Sequence, residues 1–581
     1  MKRLLVFLIV LAAATGAVFA ATAIKNPDTF IDASFGDVVT LDPAVGYDTT
    51  SWAVYGIVYD RLIDFDGTTL DKFKPMLATE VPSVANGGIS ADAKTYTFKI
   101  RQGVKFHNGD VLTPEDVAYT FERAMVTDPA DGPDWIWYQV FLAGSGSRDA
   151  NDKIAVNFSD IDKSIEVKGN TVVFHLANPF PPFLSVVAGR WASIVDKKWV
   201  IAQGGWDGTE ATWQSFNNPA TGKETLFEIA NGTGPYKLVR WTKKVELAVD
   251  RNDSYWGPKP ALAHGIRKDV EEWSTRKLML LQGDVDYAET NATNYPEMDK
   301  ETSLQMFKTL PTLTVNGIHF NMKIATKDNP AVGSGQLDGN GVPADFFTDI
   351  NVRLGFIYAW DEKTFLRDIM TGNAIDPVTP FPVGLPYKNM KLESKPFDLQ
   401  KAADYFKKAW GGKVWANGFK LDLVSNSSNM VRELGLKMLA ENIASINPKF
   451  QVAMRDVQWA DFLNARKNKQ LPAYFLGWAP DYPDPDDYAQ PYLASSGNFP
   501  ATVGYSNPTA DKLVAAAGIE LDPTKRQALY YQLQDIWLQD APGIIAYQPT
   551  VNRYFQSWVK GYFWNPMESE VFERLPYFSK R

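Results

Sequence analysis

The 581-residue chain contains no cysteine, four histidines and no block of basic residues. Without cysteine it has no disulfides, thiolate metal sites, iron–sulfur clusters or cysteine nucleophile. The histidines, His107, His175, His264 and His319, stand apart from one another. Imidazole metal sites and histidine general bases therefore have few candidates. His107 precedes the turn-like Asn108-Gly109-Asp110, and His175 alternates within Val172-Val173-Phe174-His175-Leu176, so structural roles are expected. There are 59 Lys+Arg against 68 Asp+Glu, a formal charge of −9. Phosphate neutralisation needs clustered Lys and Arg, so a nucleic-acid partner is not expected. No Gly-rich phosphate loop, G-x-G-x-x-G, G-x-S-x-G or H-E-x-x-H is present. These absences point away from an enzyme and from a resident cofactor.

The N-terminus reads as an address. Lys2 and Arg3 precede the apolar run Leu4–Ala14, and Val18-Phe19-Ala20 offers small residues for a signal peptidase. Residues 1–20 are read as a signal peptide cleaved after Ala20; the alternative is an uncleaved anchor. Cleavage moves the charge from −9 to −11. No later stretch has the ~18 uninterrupted apolar residues of a membrane span. The mature start lacks the cysteine of a lipoprotein, so the expectation is a protein free in the periplasm or outside the cell.

The whole chain, 45% apolar and 22% charged, suits a folded protein of three or four bodies at roughly 150 residues each. Short strands alternate with amphipathic helices, so the fold class is α/β. Tyr96, Phe98 and Ile100 alternate with Thr95, Thr97 and Lys99 as in a half-buried strand. Thr113-Pro114-Glu115-Asp116 predicts a capped helix start, with Val117, Phe121 and Ala124 inward. Asp398 predicts a helix bearing Leu399, Ala402, Ala403, Phe406 and Trp410, closed by Gly411-Gly412. Leu436, Leu439, Ile443 and Ile446 predict another, and Asp522-Pro523 a third with Leu529, Leu533 and Ile536 inward. Residues 203–230 and 329–345 read as surface insertions.

Aromatics are the positive signal: 18 Trp, 24 Tyr and 34 Phe. Trp52, Trp135, Trp137, Trp206, Trp213, Trp478 and Tyr482 lie in polar, turn-like contexts, as in a concave site gripping a flexible ligand. Peptides and oligosaccharides both fit that description. The run Asp481-Tyr482-Pro483-Asp484-Pro485-Asp486-Asp487 lacks EF-hand spacing and its glycine, so no metal is assigned.

The blocks Pro75-Met76-Leu77-Ala78, Thr95 to Gly109 and Thr113 to Phe121 come in fixed order. Gly232-Thr233-Gly234-Pro235-Tyr236, Trp241, Arg251-Asn252 and Tyr255-Trp256-Gly257 follow, then Gly283-Asp284-Val285-Asp286, Asn351-Val352-Arg353 and Gly477-Trp478 to Tyr482. Together with Thr40-Leu41-Asp42-Pro43 they resemble the family 5 extracellular solute-binding proteins, the oligopeptide- and dipeptide-binding proteins of ABC importers. The resemblance implies a bilobal periplasmic-binding-protein fold of type II, with an extra inserted subdomain. The implied division is 21–66, 190–305 and 548–581 for the first lobe, 67–189 for the subdomain and 306–547 for the second lobe. It implies a monomer that captures ligand by hinge closure and delivers it to an inner-membrane ABC permease with ATPase subunits.

The resemblance also implies a ligand site. Peptide-binding members pair the ligand's ammonium with an aspartate after a tryptophan, which matches Asp481 after Trp478. Tyr482, Asn426, Trp52 and Tyr47 complete the candidate site. Dipeptide binders carry an arginine for the ligand carboxylate after a strand of the same lobe. The matching stretch Leu423–Asn429 contains none, which favours longer peptides. Oligosaccharide is the alternative cargo, a nickel chelate a more distant one, and a secreted hydrolase or a periplasmic chaperone the readings from other classes.

Overall fold

The computed structural model describes residues 24–581, apart from residues 131, 150, 221 and 428 and the side chain of residue 460. The proposed signal peptide lies outside the described residues. Thr113 opens the helix Pro114–Thr127 through a reciprocal capping box with Asp116, whose carboxylate accepts the Thr113 N–H at 2.8 Å. That helix buries Val117, Phe121 and Ala124 against a small antiparallel sheet of Thr95–Lys99, Thr171–His175 and Ile165–Lys168. Phe98, Phe121, Trp137, Phe141 and Phe174 fill the space between them.

The main sheet has twelve strands and turns on one of them. The long strand Gly543–Gln556 pairs with Val315–Phe320 through its first half. Its second half pairs with Leu304–Pro311 and Tyr287–Ala288. From Val315–Phe320 the sheet continues through Ala473–Trp478, Phe419–Asn426 and Phe450–Val457. From Tyr287–Ala288 it continues through Thr29–Ser34, His264–Asp269, Glu246–Arg251 and Tyr236–Thr242. Each half has its own core. Phe356, Phe406, Phe419 and Phe475 pack in one, and Phe30, Tyr55, Tyr236 and Phe555 in the other. The architecture is a bilobal α/β fold.

In the Val315–Phe320 half, Phe419–Asn426 runs parallel to both Phe450–Val457 and Ala473–Trp478. The helix Met430–Ile446, with Leu436, Leu439 and Ile443 buried, makes the crossover between the first two. Ligands of parallel sheets lie beyond the carboxyl ends of the strands. Those ends here are Asn426, Val457 and Trp478.

Three expectations are corrected. Residues 203–230 are not a bare surface insertion, because Trp206 and Trp213 are buried beside Phe158, and Trp206 stacks on Tyr119 at 5.4 Å. The helix Leu399–Lys408 stops short of Trp410, which takes a positive φ of 52° outside it and still packs on the same core. In the helix Pro523–Asp540 the buried side is Arg526, Tyr530, Leu533, Gln534 and Trp537, while Leu529 and Ile536 are only partly covered. Arg526 turns that face because it meets the Asp484 carboxylate in two hydrogen bonds of 2.8 Å.

Candidate ligand-binding cleft

A cavity of about 830 Å³ opens between the two halves of the molecule and the small antiparallel sheet's subdomain. That volume suits a ligand-binding cleft. Tyr47, Asp48 and Trp52 enter from the start of the helix Thr49–Val58. Trp135 enters from the helix Trp135–Leu142, and Trp191 from the helical turn Arg190–Ala192. The Gly477–Tyr482 segment, at the end of the strand Ala473–Trp478, closes the opposite wall. The strand ends there because Pro480, Pro483 and Pro485 cannot donate ladder hydrogen bonds.

Asp481 is the charge-bearing group of that segment, 6% exposed. Its Oδ1 accepts the Tyr47 hydroxyl, a hydrogen bond that ties the two walls together. Its Oδ2 is buried with no hydrogen-bond partner among the described residues. Its backbone N–H donates to Asp487 Oδ2 at 2.9 Å. Burial pushes the Asp481 carboxyl up to about 7, with the Tyr47 hydroxyl acting in the opposite direction. Asp487, also buried, is pushed well above the carboxylate range by burial and then by Asp481. Tyr47 is raised by burial and then by the Asp481 charge. An unpaired charge at this depth is costly, so the arrangement favours either a proton or a ligand cation.

Five of the six candidate residues meet in the cavity: Tyr47, Trp52, Trp478, Asp481 and Tyr482. Trp52 donates its indole N–H to the Gly46 carbonyl at 3.0 Å and meets Trp191 edge-on at 5.5 Å. Trp478 sits edge-on to Phe499. Tyr482 donates to Asp486 and packs edge-on against Phe180 of the subdomain. Asn426 is absent from the cavity wall, a correction to the expected site. It turns instead to Arg432, whose Nη1 donates to Asn426 Oδ1 at 2.8 Å and whose Nη2 donates to Asn316 Oδ1 at 3.3 Å. Of the other turn-context tryptophans, Trp135 lines the cavity, whereas Trp137, Trp206 and Trp213 are core residues.

The sequence reading missed Asp48, Asp487 and Trp191. Asp487 belonged to a run in which only Asp481 was assigned to ligand. The signal for it was helical: Asp486–Leu493 begins there, which turns Asp487 back toward the Asp481 N–H. Two of the histidines are held inside the fold. His107 Nε2 donates to the Gly234 carbonyl at 3.0 Å, and His319 stacks on Phe499 with ring centres 3.9 Å apart. Among the described residues no group of three or more acidic or histidine side chains is arranged to hold a metal ion.

This geometry accords with what the chain resembles. The model of the bacterial extracellular solute-binding proteins, family 5 (Middle), matches residues 72–500. The chain belongs to that family. The dipeptide-binding protein of Escherichia coli is 25% identical over 533 residues, covering 89% of this chain and 88% of its own. Heme-binding protein A of Haemophilus influenzae is also 25% identical, covering 94% and 92%. Among solved structures, the periplasmic binding protein DppA of Helicobacter pylori in complex with the peptide STSA superposes with a TM-score of 0.71. It is 24% identical and covers 95% of this chain and 98% of its own. Members of this family bind solutes, and the architecture is theirs.

Proposed function

We propose that this protein is the periplasmic substrate-binding component of an ABC importer and that its cargo is peptide. The observation that carries the reading is Asp481: a buried carboxyl with one free oxygen, facing a cavity between two lobes. A free peptide α-ammonium is the group that such an oxygen lacks. The tryptophans around it supply apolar contact that tolerates varied side chains. The peptide cargo of the Escherichia coli and Helicobacter pylori relatives favours the same cargo here. The loaded monomer would dock on an inner-membrane permease driven by ATPase subunits, after export and removal of residues 1–20. No group in the cleft is assigned a catalytic role.

The two lobes would exchange at residues 311–315 and 547–550, where the main sheet changes partners. The strand Leu304–Pro311 pairs only with the second half of the long strand, so the first lobe would extend to Pro311 rather than to 305. Residues 67–189 form the inserted subdomain in this reading.

Calorimetry on Asp481→Asn tests the anchor. The variant keeps shape and loses charge. A peptide should bind it more weakly by roughly 2–5 kcal/mol, because a buried ammonium then lacks its partner. N-acetylating the peptide should harm binding to the wild type far more than to the variant, since the two changes remove the same interaction. Additive losses, or tight binding of an uncharged oligosaccharide with no heat from any peptide, would overturn the reading.

A further inference from the structure

The cavity wall holds five carboxyl groups, Asp48, Asp481, Asp487, Glu570 and Glu573, against a single guanidinium, Arg190. Neither lysine nor histidine lines it. Arg190 is already satisfied. Its Nε donates to Glu573 at 3.0 Å, its Nη2 to Glu568 and its Nη1 to Asp64 at 3.4 Å. Three of its five N–H groups are thus committed to three carboxylates, which already balance its charge. Arg267 holds Glu570 through a 3.2 Å contact and does not itself line the cavity. The wall is acidic beyond what the α-ammonium of one peptide requires.

Two of these acids keep a buried oxygen without a hydrogen-bond partner among the described residues: Asp481 Oδ2 and Asp48 Oδ2. They belong to opposite walls. Asp48 follows Tyr47, the residue whose hydroxyl reaches Asp481. It is fixed in place, because its Oδ1 caps the helix Thr49–Val58 by accepting the Ser51 N–H at 2.8 Å. Asp48 is thus an acceptor fixed by its cap, with its second oxygen buried and unpartnered among the described residues. A water-filled surface would satisfy such an oxygen cheaply, but here it is enclosed.

Building on the peptide reading, we infer that the cleft selects cationic peptides. Asp481 takes the α-ammonium, and Asp48 takes the side-chain cation of a lysine or arginine near the peptide's N-terminus. An acidic residue at the same place meets the carboxyl groups of Asp48 and Asp481 with no lysine or histidine of the lining to offset them, so the wall rejects as well as selects. A neutral residue leaves Asp48 Oδ2 as enclosed as it is without ligand.

Calorimetry at pH 7.5 with tetrapeptides tests this. Lysine is placed at the first, second or third position of an otherwise alanine peptide, with norleucine and glutamate as matched replacements. Each peptide is used free and N-acetylated. At one position at least, lysine should bind tenfold or more tightly than norleucine, and glutamate tenfold or more weakly. Asp48→Asn retains the helix cap, since asparagine caps as well as aspartate. In that variant the lysine-to-norleucine ratio should fall to within threefold of unity. Equal affinities for lysine and norleucine at all three positions would overturn the inference. If acetylation still weakened binding, the Asp481 anchor would survive that result. A lysine preference unchanged in Asp48→Asn would overturn the role of Asp48. Lysine preference with no effect of acetylation would instead overturn the anchor on which the inference rests.

Discussion

His319 shows how one buried side chain sets a pH limit for the whole protein. It is 3% exposed, stacked on Phe499 and flanked by Tyr474 and Tyr492. Its Nε2 lies 3.2 Å from the Leu476 carbonyl, so that nitrogen carries the hydrogen. Burial drives its pKa down to about 3, with Arg466 adding to the fall. The unfolded chain titrates near the ordinary 6.5. Between these values the unfolded state binds the proton and the folded state does not. Stability is therefore whole above about 6.5 and declines as pH falls toward 3, by at most ~1.4 kcal/mol per unit. His319→Phe keeps the aromatic stack and removes the titration. Urea denaturation of both proteins at pH 7, 5.5 and 4 should show the variant gaining on the wild type as pH falls. A constant difference across that range would rule out His319 as the source.

At the scale of elements, capping and periodicity were legible and side-chain direction was less so. Thr113 and Asp116 announced a helix that begins where they place it, because a capping box satisfies backbone donors locally. Asp398 and Asp522 did the same for Leu399–Lys408 and Pro523–Asp540. Which face turns inward depends on distant partners: Arg526 is buried only because Asp484 lies opposite. Asp481, expected from its place after Trp478 in a family pattern, does line the cavity. Asn426 was misplaced, because a strand end near the cleft need not aim its side chain into it. Arg432, six residues later, was the group that Asn426 serves, and neither residue's spacing reveals that pairing. The central strand Val315–Phe320 carries another fact hidden from sequence. A Cβ on Gly317 would stand 2.7 Å from the Ile544 carbonyl oxygen and 3.3 Å from Ile545 Cδ1, where the ladder shifts register. Backbone cannot yield as a side-chain end can. Gly317→Ala should therefore cost about 1–3 kcal/mol in urea denaturation, the usual range for overpacking. A cost below ~0.5 kcal/mol would mean that the strand relaxes freely.

At the scale of the molecule, the proposed division joins the two lobes by residues 311–315 and 547–550, which lie against each other. Thr312 donates its N–H and its hydroxyl to the Pro549 carbonyl. Gln548, fully buried, donates to the Thr312 and Val383 carbonyls at 2.6 and 2.9 Å and accepts the Val383 N–H at 2.7 Å. Paired crossing strands of this kind bend as a hinge while the lobes stay rigid. Across the cleft the lobes touch through Tyr47 and Asp481, and the subdomain touches the second lobe through Phe180 and Tyr482. Asp481 is enclosed here, with Tyr47 bonded to its Oδ1, Asp487 accepting its N–H, and no salt-bridge cation in contact among the described residues. Burial holds the Asp481 carboxyl up at about 7 in this enclosed geometry, and an opening that exposed it to water would remove that cause. Closure without ligand therefore takes up a proton, so low pH favours the closed form and a rise through about 7 favours the open one. A ligand ammonium replaces that proton and should close the cleft at any pH in this range. Small-angle X-ray scattering of the ligand-free protein at pH 5.5 and 8.5 should show a larger radius of gyration at 8.5. Adding a verified peptide at 8.5 should restore the smaller value. Asp481→Asn, which has no proton to take up, should give the same radius at both pH values. A wild-type curve that responds to neither pH nor saturating peptide would exclude hinge closure as the means of capture.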